Sequence, residues 1–198
     1  MTARKLRKTL LKSIPLETER LVLRYIDQSD AEDMFEYSSV EDVCEFLLWS
    51  PHINIDVTKG YIEFLQKRYL RGLYADWAVT LKDSRKMIGT CGFANIDSRM
   101  KNCEIGYVLS PYFRNNGYMT EAVNAVLKLT FDVLKLETAR LRIINENTAS
   151  KKLAERVGFV LESVEREEME IKGIRRDIAH YVMTAEEYDR IKQKNEAV

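Results

Sequence analysis

The order of apolar and polar residues along the chain switches repeatedly between a period of two and a period near 3.6. From Arg20 to Ile26 it alternates, with Leu21, Leu23 and Tyr25 on one face, and predicts a strand. Ser29-x-x-Glu32 reads as a capping box opening a helix through Met34 and Phe35. A short helical piece follows over residues 41–47, then the loop Trp49-Ser50-Pro51-His52. Asp56 reads as the N-cap of a helix on which Tyr61, Ile62, Phe64, Leu65 and Tyr69 recur at helical spacing. Residues 77–81 and 86–93 are two strands of a hairpin turning at Lys82-Asp83-Ser84-Arg85, followed by a polar loop over 97–102.

The stretch from Cys103 to Leu134 carries the chemistry. It begins as a strand over 103–109, turns at Ser110-Pro111, passes Arg114-Asn115-Asn116-Gly117-Tyr118 and enters a helix near Met119-Thr120. That helix sets Met119, Ala122, Val123, Val126, Leu127, Phe131 and Leu134 on one side, so it packs on a sheet. A strand feeding a Gly-containing turn and a helix N-terminus makes an anion site. The first-turn amides lack intrahelical acceptors, and the macrodipole favours negative charge there. Gly117 permits positive φ, and Arg114 adds charge-assisted bonds. Neither Gly-x-x-x-x-Gly-Lys-Ser/Thr nor Gly-x-Gly-x-x-Gly is present, so two common phosphate loops are excluded.

Beyond it, residues 140–144 form a strand, and Asn147 caps a short helix that stops at Gly158. Residues 160–171 and 175–183 form a last hairpin through Lys172-Gly173, and Thr184-x-x-Glu187 caps a C-terminal helix. The strand–helix–strand crossover around 103–144 predicts an α/β fold on a mixed sheet.

Length and composition narrow the class. The 198 residues, 45% hydrophobic and 31% charged, suit one soluble globular domain. A formal net charge of +0 gives no global field toward DNA or an acidic membrane. No apolar run is long enough to span a bilayer. Residues 1–13 are basic, through Arg4, Lys5, Arg7, Lys8 and Lys12, and lack the apolar core of a signal peptide. They read as a solvated, partly ordered extension of a cytoplasmic protein, with contact to RNA or the ribosome as the alternative; residues 14–198 read as the single domain. Cys44, Cys91 and Cys103 form no disulfide framework, and with only His52 and His180 no metal-ligand spacing exists. No metal is expected.

The turn resembles the pyrophosphate loop, Arg/Gln-x-x-Gly-x-Gly/Ala, of the GNAT N-acetyltransferases. Thr18-Glu19-Arg20-Leu21-Val22-Leu23-Arg24, Ile88-Gly89-x-x-Gly92-Phe93, Glu104-Ile105-Gly106-Tyr107, Gly117-Tyr118-Met119-Thr120-Glu121-Ala122 and Asn147-x-x-Ser150 with Gly158-Phe159 follow in order. Together they resemble the branch of the ribosomal-protein N-terminal acetyltransferases RimJ and RimL, from about residue 17 to 188. Met119 departs from the general motif, which has Gly or Ala there. The resemblance implies a mostly antiparallel twisted sheet flanked by helices, in which the strands at 103–109 and 140–144 splay apart. It implies acetyl-CoA as cosubstrate, its pantetheine arm entering the gap. An amine acceptor, either a protein N-terminus or a small molecule, follows, with a ribosomal protein and a homodimer left open as partners.

The resemblance distributes roles over residues that also have structural readings. Arg114 and the main chain of Asn115, Asn116, Gly117, Tyr118, Met119 and Thr120 would hold the diphosphate; the Asn115 and Asn116 side chains are also turn formers. A backbone amide among Tyr107, Val108 and Leu109 would polarise the thioester carbonyl. Glu104 would act as base, or else be a structural ion-pair partner. Asn147 would bond pantetheine and Ser150 would protonate the leaving sulfur, or the two would simply open a helix. Trp49, His52, Trp77 and Tyr181 would line the acceptor side, or else pack. Freeing a lysine amine at pH 7 costs roughly 4–5 kcal/mol, and an α-amine about 1 kcal/mol. The expected acceptor is therefore a protein N-terminal α-amine attacking the thioester directly. A polyamine or aminoglycoside acceptor, and a coenzyme-binding module without turnover, are the alternatives.

Overall fold

The computed structural model describes residues 3–70 and 76–196, so the outermost positions of the expected extension and domain lie outside it. In chain order the elements are helix α1 (Ala3–Ser13), strands β1 (Leu16–Glu17) and β2 (Leu21–Arg24), helices α2 (Ala31–Ser38), α3 (Glu41–Cys44) and α4 (Ile55–Leu70), and strands β3 (Asp76–Leu81), β4 (Met87–Asp97) and β5 (Asn102–Leu109). Helix α5 (Tyr118–Lys128), strand β6 (Thr138–Ile144), helix α6 (Thr148–Val157), strands β7 (Val160–Ile171) and β8 (Ile174–Thr184), and helix α7 (Ala185–Glu196) follow. The eight strands form one sheet in the order β1-β2-β3-β4-β5-β6-β8-β7. Every neighbouring pair is antiparallel except β5 with β6.

That parallel pair is short. It joins Asn102 to Thr138, Cys103 to Ala139 and Glu104 to Arg140, then ends. Past Glu104, β5 stays on β4 as far as Leu109, while β6 stays on β8 as far as Ile144. The register of β4 against β5 shifts between Phe93 and Asn95, opposite the residues where the strands part. A bulge bends its strand and increases local twist, which turns β5 away from β6. The expected splay is therefore present, at Glu104.

Both faces of the sheet are covered. One core joins β2–β6 and β8 to α5 and α6 through Phe93, Ile105, Met119, Val123, Val126 and Ala154. The other sits under α2 and α4, with Ile26, Met34, Tyr37, Ile62, Leu65 and Ala78. All seven apolar positions expected on the buried side of the central helix are buried. The helix does not run on unbroken, because residues Leu129–Val133 form a π turn.

Local details differ from the sequence reading. The capping box before α2 is made by Asp27 and Asp30, not Ser29 and Glu32. Asn54 Oδ1, not Asp56, accepts from the Asp56 and Val57 amides at the start of α4. The basic N-terminal stretch, expected as a tail, is helix α1. Its Leu6 and Leu10, one turn apart, enter the α5-side core and leave the basic residues outside. No helix among the described residues is long and apolar enough to cross a membrane.

Candidate active site

The turn after β5 is built from short local bonds. Phe113 N donates to Ser110 O at 3.1 Å and Arg114 N to Pro111 O at 3.3 Å. Asn115 and Gly117 take positive φ, 64° and 78°. The Asn116 amide donates to the carbonyls of Phe113 and Arg114, so its side chain shapes the turn. Glu121 N bonds the carbonyl of Gly117 at 3.0 Å. The amides before it, including the whole first turn of α5, have no helical acceptor and form a concave patch of partial positive charge.

A brace steadies this patch. Glu121 Oε1 accepts from Thr18 Oγ1 at 2.5 Å and from Arg20 N at 2.9 Å. Arg20 Nε reaches Glu121 Oε2 at 2.7 Å, and an Arg20 terminal nitrogen donates to Asn116 O at 3.1 Å. The Arg20 guanidinium also lies 4.5 Å from the centre of the Tyr118 ring. Burial opposes the Glu121 charge, but the bonds from Thr18 and Arg20 prevail and hold its carboxyl below the usual range. Sequence reading placed Thr18-Glu19-Arg20 in a motif but missed this function, since the partners lie about a hundred residues apart.

The patch opens on a cavity of about 1650 Å³. Tyr107, Val108 and Leu109 line it, with Arg114, Asn115 and Gly117–Thr120 at one end and Asn147, Ser150, Lys152 and Arg156 along α6. Val43, Phe46 and Leu47 line it from the α3 segment. The expected residues at 107–109, 114, 115, 117–120, 147 and 150 thus meet around one space; Asn116 supports it from behind.

Where β5 leaves β6, Tyr107 reaches across to α6, and its hydroxyl lies 2.6 Å from Ser150 Oγ. Burial, partly offset by that bond, raises the Tyr107 phenol well above its ordinary value, so it keeps its proton. Asn147 Oδ1 accepts from Ser150 N at 3.0 Å, the expected N-cap, and leaves the Asn147 amide hydrogens for other partners. Ser110 N bonds Ile88 O on β4 at 2.8 Å. Strand alternation then turns the Tyr107 and Leu109 amides toward the gap. The phenol of Tyr107 was not foreseen; only its main chain was.

Other expected residues lie elsewhere. Glu104 sits at the splay but is bound to Arg142, Nε to Oε1 at 3.0 Å. Trp77 and Tyr181 are corrections: both are 2% exposed in the core, Trp77 edge-on to Phe93 and Tyr181 donating to Glu155 Oε1 at 3.0 Å. An aromatic side chain satisfied on every side has no surface left for an acceptor. His52 Nδ1 lies 2.9 Å from Ser38 Oγ and 2.8 Å from Thr58 Oγ1, with Trp49 against its ring. This pair pins the loop between α3 and α4 and does not line the cavity; burial lowers the His52 pKa. The α3 segment is tied to the far side by Lys172 Nζ, which donates to Cys44 O at 2.6 Å, and by Phe46 packed on Ile144, Ile171 and Ile178.

All three cysteine thiols are raised by burial, Cys103 to about 12, so none presents a thiolate. Among the described residues no group of three His, Cys, Asp or Glu side chains could hold a metal ion.

A sheet parted at its centre, with hydroxyls facing across the gap and free amides lining one cavity, is an arrangement that suits an acyltransferase. Comparison with known proteins carries this further. The family described as the acetyltransferase (GNAT) domain matches residues 20–160. An uncharacterised N-acetyltransferase p20 of Bacillus licheniformis is 30% identical over 173 residues, 87% of this chain and 97% of its own length. A GCN5-related N-acetyltransferase from Brucella melitensis has a crystal structure superposing with a TM-score of 0.81 at 28% identity, covering 92% of this chain and 84% of that one. The apo crystal structure of RimL, a ribosomal L7/L12 α-N-protein acetyltransferase, shares the fold with a TM-score of 0.75 at 21% identity over 86% of this chain and 93% of its own. The chain belongs to the GNAT acetyltransferase family and is an N-acetyltransferase.

Proposed function

We propose that the enzyme transfers the acetyl group of acetyl-CoA directly to the α-amine of a protein N-terminus. The reading rests on one observation above the others: the amide-lined turn after β5 and the Tyr107–Ser150 pair open on the same cavity. The amides of 115–120 and Arg114 take the diphosphate, and the Asn147 amide bonds the pantetheine arm. The amine nitrogen attacks the thioester carbon, whose oxygen turns to the Tyr107 or Leu109 amide. The carbon–sulfur bond breaks, Ser150 gives its proton to the sulfur, and Tyr107 supports the serine hydroxyl. The ammonium proton leaves through water to Glu104, and water returns a proton to the Ser150 oxygen as Glu104 gives its own up, so both groups end as they began.

The acceptor preference follows from the base. Glu104 is committed to Arg142 and can relay a proton, whereas a lysine would demand roughly 4–5 kcal/mol of deprotonation. An α-amine demands about 1 kcal/mol. The shared fold with RimL is consistent with that acceptor. A screen of acetyl-CoA turnover over N-terminal peptides, polyamines and aminoglycosides, read by thiol release, tests it. Peptides are the expected acceptors. A preference for polyamines or aminoglycosides overturns the peptide reading, and coenzyme binding without turnover on any amine overturns the catalytic one.

A further inference from the structure

The basic N-terminal stretch has no part in the transfer step, yet it is folded. Helix α1 carries Arg4, Lys5, Arg7, Lys8 and Lys12, all exposed, and no acidic residue. At 3.6 residues per turn the five fall within an arc of about 160°, on the side opposite Leu6 and Leu10. Both leucines are seated in the α5-side core, so the arc faces solvent. The neutrality of the chain conceals this. It has 31 basic and 31 acidic side chains, and the first 13 residues hold five of the basic and none of the acidic. The remainder is therefore negative by five.

Folding gathers these cations at an electrostatic cost. Arg4 with Arg7 and Lys8, Lys5 with Lys8, and Lys8 with Lys12 are like charges three or four residues apart, which destabilises a helix. Arg4 and Lys5 also stand in the first turn, where the macrodipole favours negative charge. Arg20, Lys86 and Arg140 on the sheet are each paired with a carboxylate. Among the described residues, Arg4, Arg7, Lys8 and Lys12 have no hydrogen-bond or ion-pair partner.

The surface around the arc selects the kind of polyanion that would neutralise it. An anionic membrane takes an amphipathic helix by its apolar face, and here that face is spent on the core. A protein partner needs buried apolar or aromatic anchors, and Leu11 is the only large apolar side chain that α1 exposes. A nucleic-acid backbone needs cations alone. Helix α1 has no Asn, Gln, Asp or Glu to pair with adenine or cytosine edges, so what it offers is backbone contact. Duplex RNA suits that, since its deep, narrow major groove hides the bases and recognition runs through shape and phosphates.

We propose that the exposed face of α1 binds duplex RNA through its phosphates, as a docking surface apart from the acetyl-transfer site. The helix ends at the cavity, which Ser13 lines, so the duplex lies near the cavity's rim.

The test is fluorescence anisotropy with a labelled RNA duplex of about 16 base pairs, with and without saturating CoA. Each phosphate contact adds about 0.9 to the salt slope of log K, so four contacts should weaken binding about a hundredfold between 50 and 200 mM salt. Lys8→Gln with Lys12→Gln should weaken binding at least tenfold and lower the slope by about 2. Lys59→Gln with Arg99→Gln makes the same charge change on exposed residues elsewhere and should leave binding unaltered. Absence of binding, or equal losses in the two pairs, overturns the proposal. Displacement by CoA would place the RNA in the cavity and overturns the assignment to α1. Equal binding of a DNA duplex overturns RNA as the source. Tighter binding of polyglutamate or of phosphatidylglycerol vesicles overturns it in favour of an acidic protein or a membrane. No turnover is measured, so each of these failures leaves the acceptor reading untouched.

Discussion

Tyr107 and Ser150 hold their hydroxyls 2.6 Å apart across the gap, one from a strand and one from a helix. A serine so placed can protonate a departing thiolate, and its neighbour stays protonated because burial keeps its phenol from ionising. General acid catalysis is worth about 10²–10⁴-fold. Ser150→Ala should therefore lower kcat about a hundredfold while leaving KM for acetyl-CoA within a few-fold, as steady-state thiol release would show. Parent-like turnover in that variant would remove Ser150 from the mechanism. Asp76, which opens β3, allows a prediction with a sign. Burial raises its carboxyl from an unfolded value near 3.9 to a folded value of about 6. Between these the folded state holds the extra proton, so stability falls as pH rises from about 4 to 6 and the deficit persists above. An asparagine at this position has no proton to lose and carries no such deficit. Asp76→Asn should melt higher than the parent at pH 7.5, with the gap closing toward pH 4, and identical melting curves at pH 7.5 would count against a strained carboxylate.

At the level of elements, the β4–β5 pair is the most constrained. A Cβ on Gly89 would stand 2.2 Å from the carbonyl oxygen of Val108, on the strand that lines the cavity. Gly89→Ala must push β5 aside and should destabilise the protein by about 1–3 kcal/mol, measured by denaturant unfolding. Unchanged stability would mean that β5 shifts freely. Much at this level was readable in the sequence. The buried stripe of α5, the Asn147 cap, the Thr184–Glu187 box and the Lys172-Gly173 turn are set by neighbours in sequence, and all are present. The caps of α2 and α4 were displaced because Asp27, Ser29, Asn54 and Asp56 can each serve as a cap, and only the approaching chain decides between them. The bulge opposite Glu104 and the extension of β4 to Asp97 depend on strand pairing, which leaves no local mark. Trp77 and Tyr181 were misplaced because aromatic residues suit a core and a pocket equally well. Helix α1 was hidden because its apolar seam is two leucines within a basic run.

Across the whole molecule, the α3 segment is held at both ends of the cavity. Lys172 binds it to the β7–β8 hairpin, and Asp42 binds it to the turn after β5 through Arg114, nitrogen to oxygen at 2.7 Å. A diphosphate seated on the amides of 115–120 would compete with Asp42 for the same guanidinium, and phosphate matches its fork at least as well as a carboxylate. Donor binding would then release one end of the segment that carries Val43, Phe46 and Leu47 into the cavity. Both partners are well exposed, 43% for Arg114 and 62% for Asp42, so the pair is worth no more than about 1 kcal/mol. Asp42→Asn should accordingly tighten acetyl-CoA binding by up to about fivefold, and Arg114→Ala should weaken it. Combining the two substitutions should erase the gain, because Asp42 acts on the coenzyme only through Arg114. Calorimetry on the four proteins would measure the coupling. A gain from Asp42→Asn that persists without Arg114 would show that the carboxylate repels the diphosphate directly, and that the α3 segment is not released through this pair.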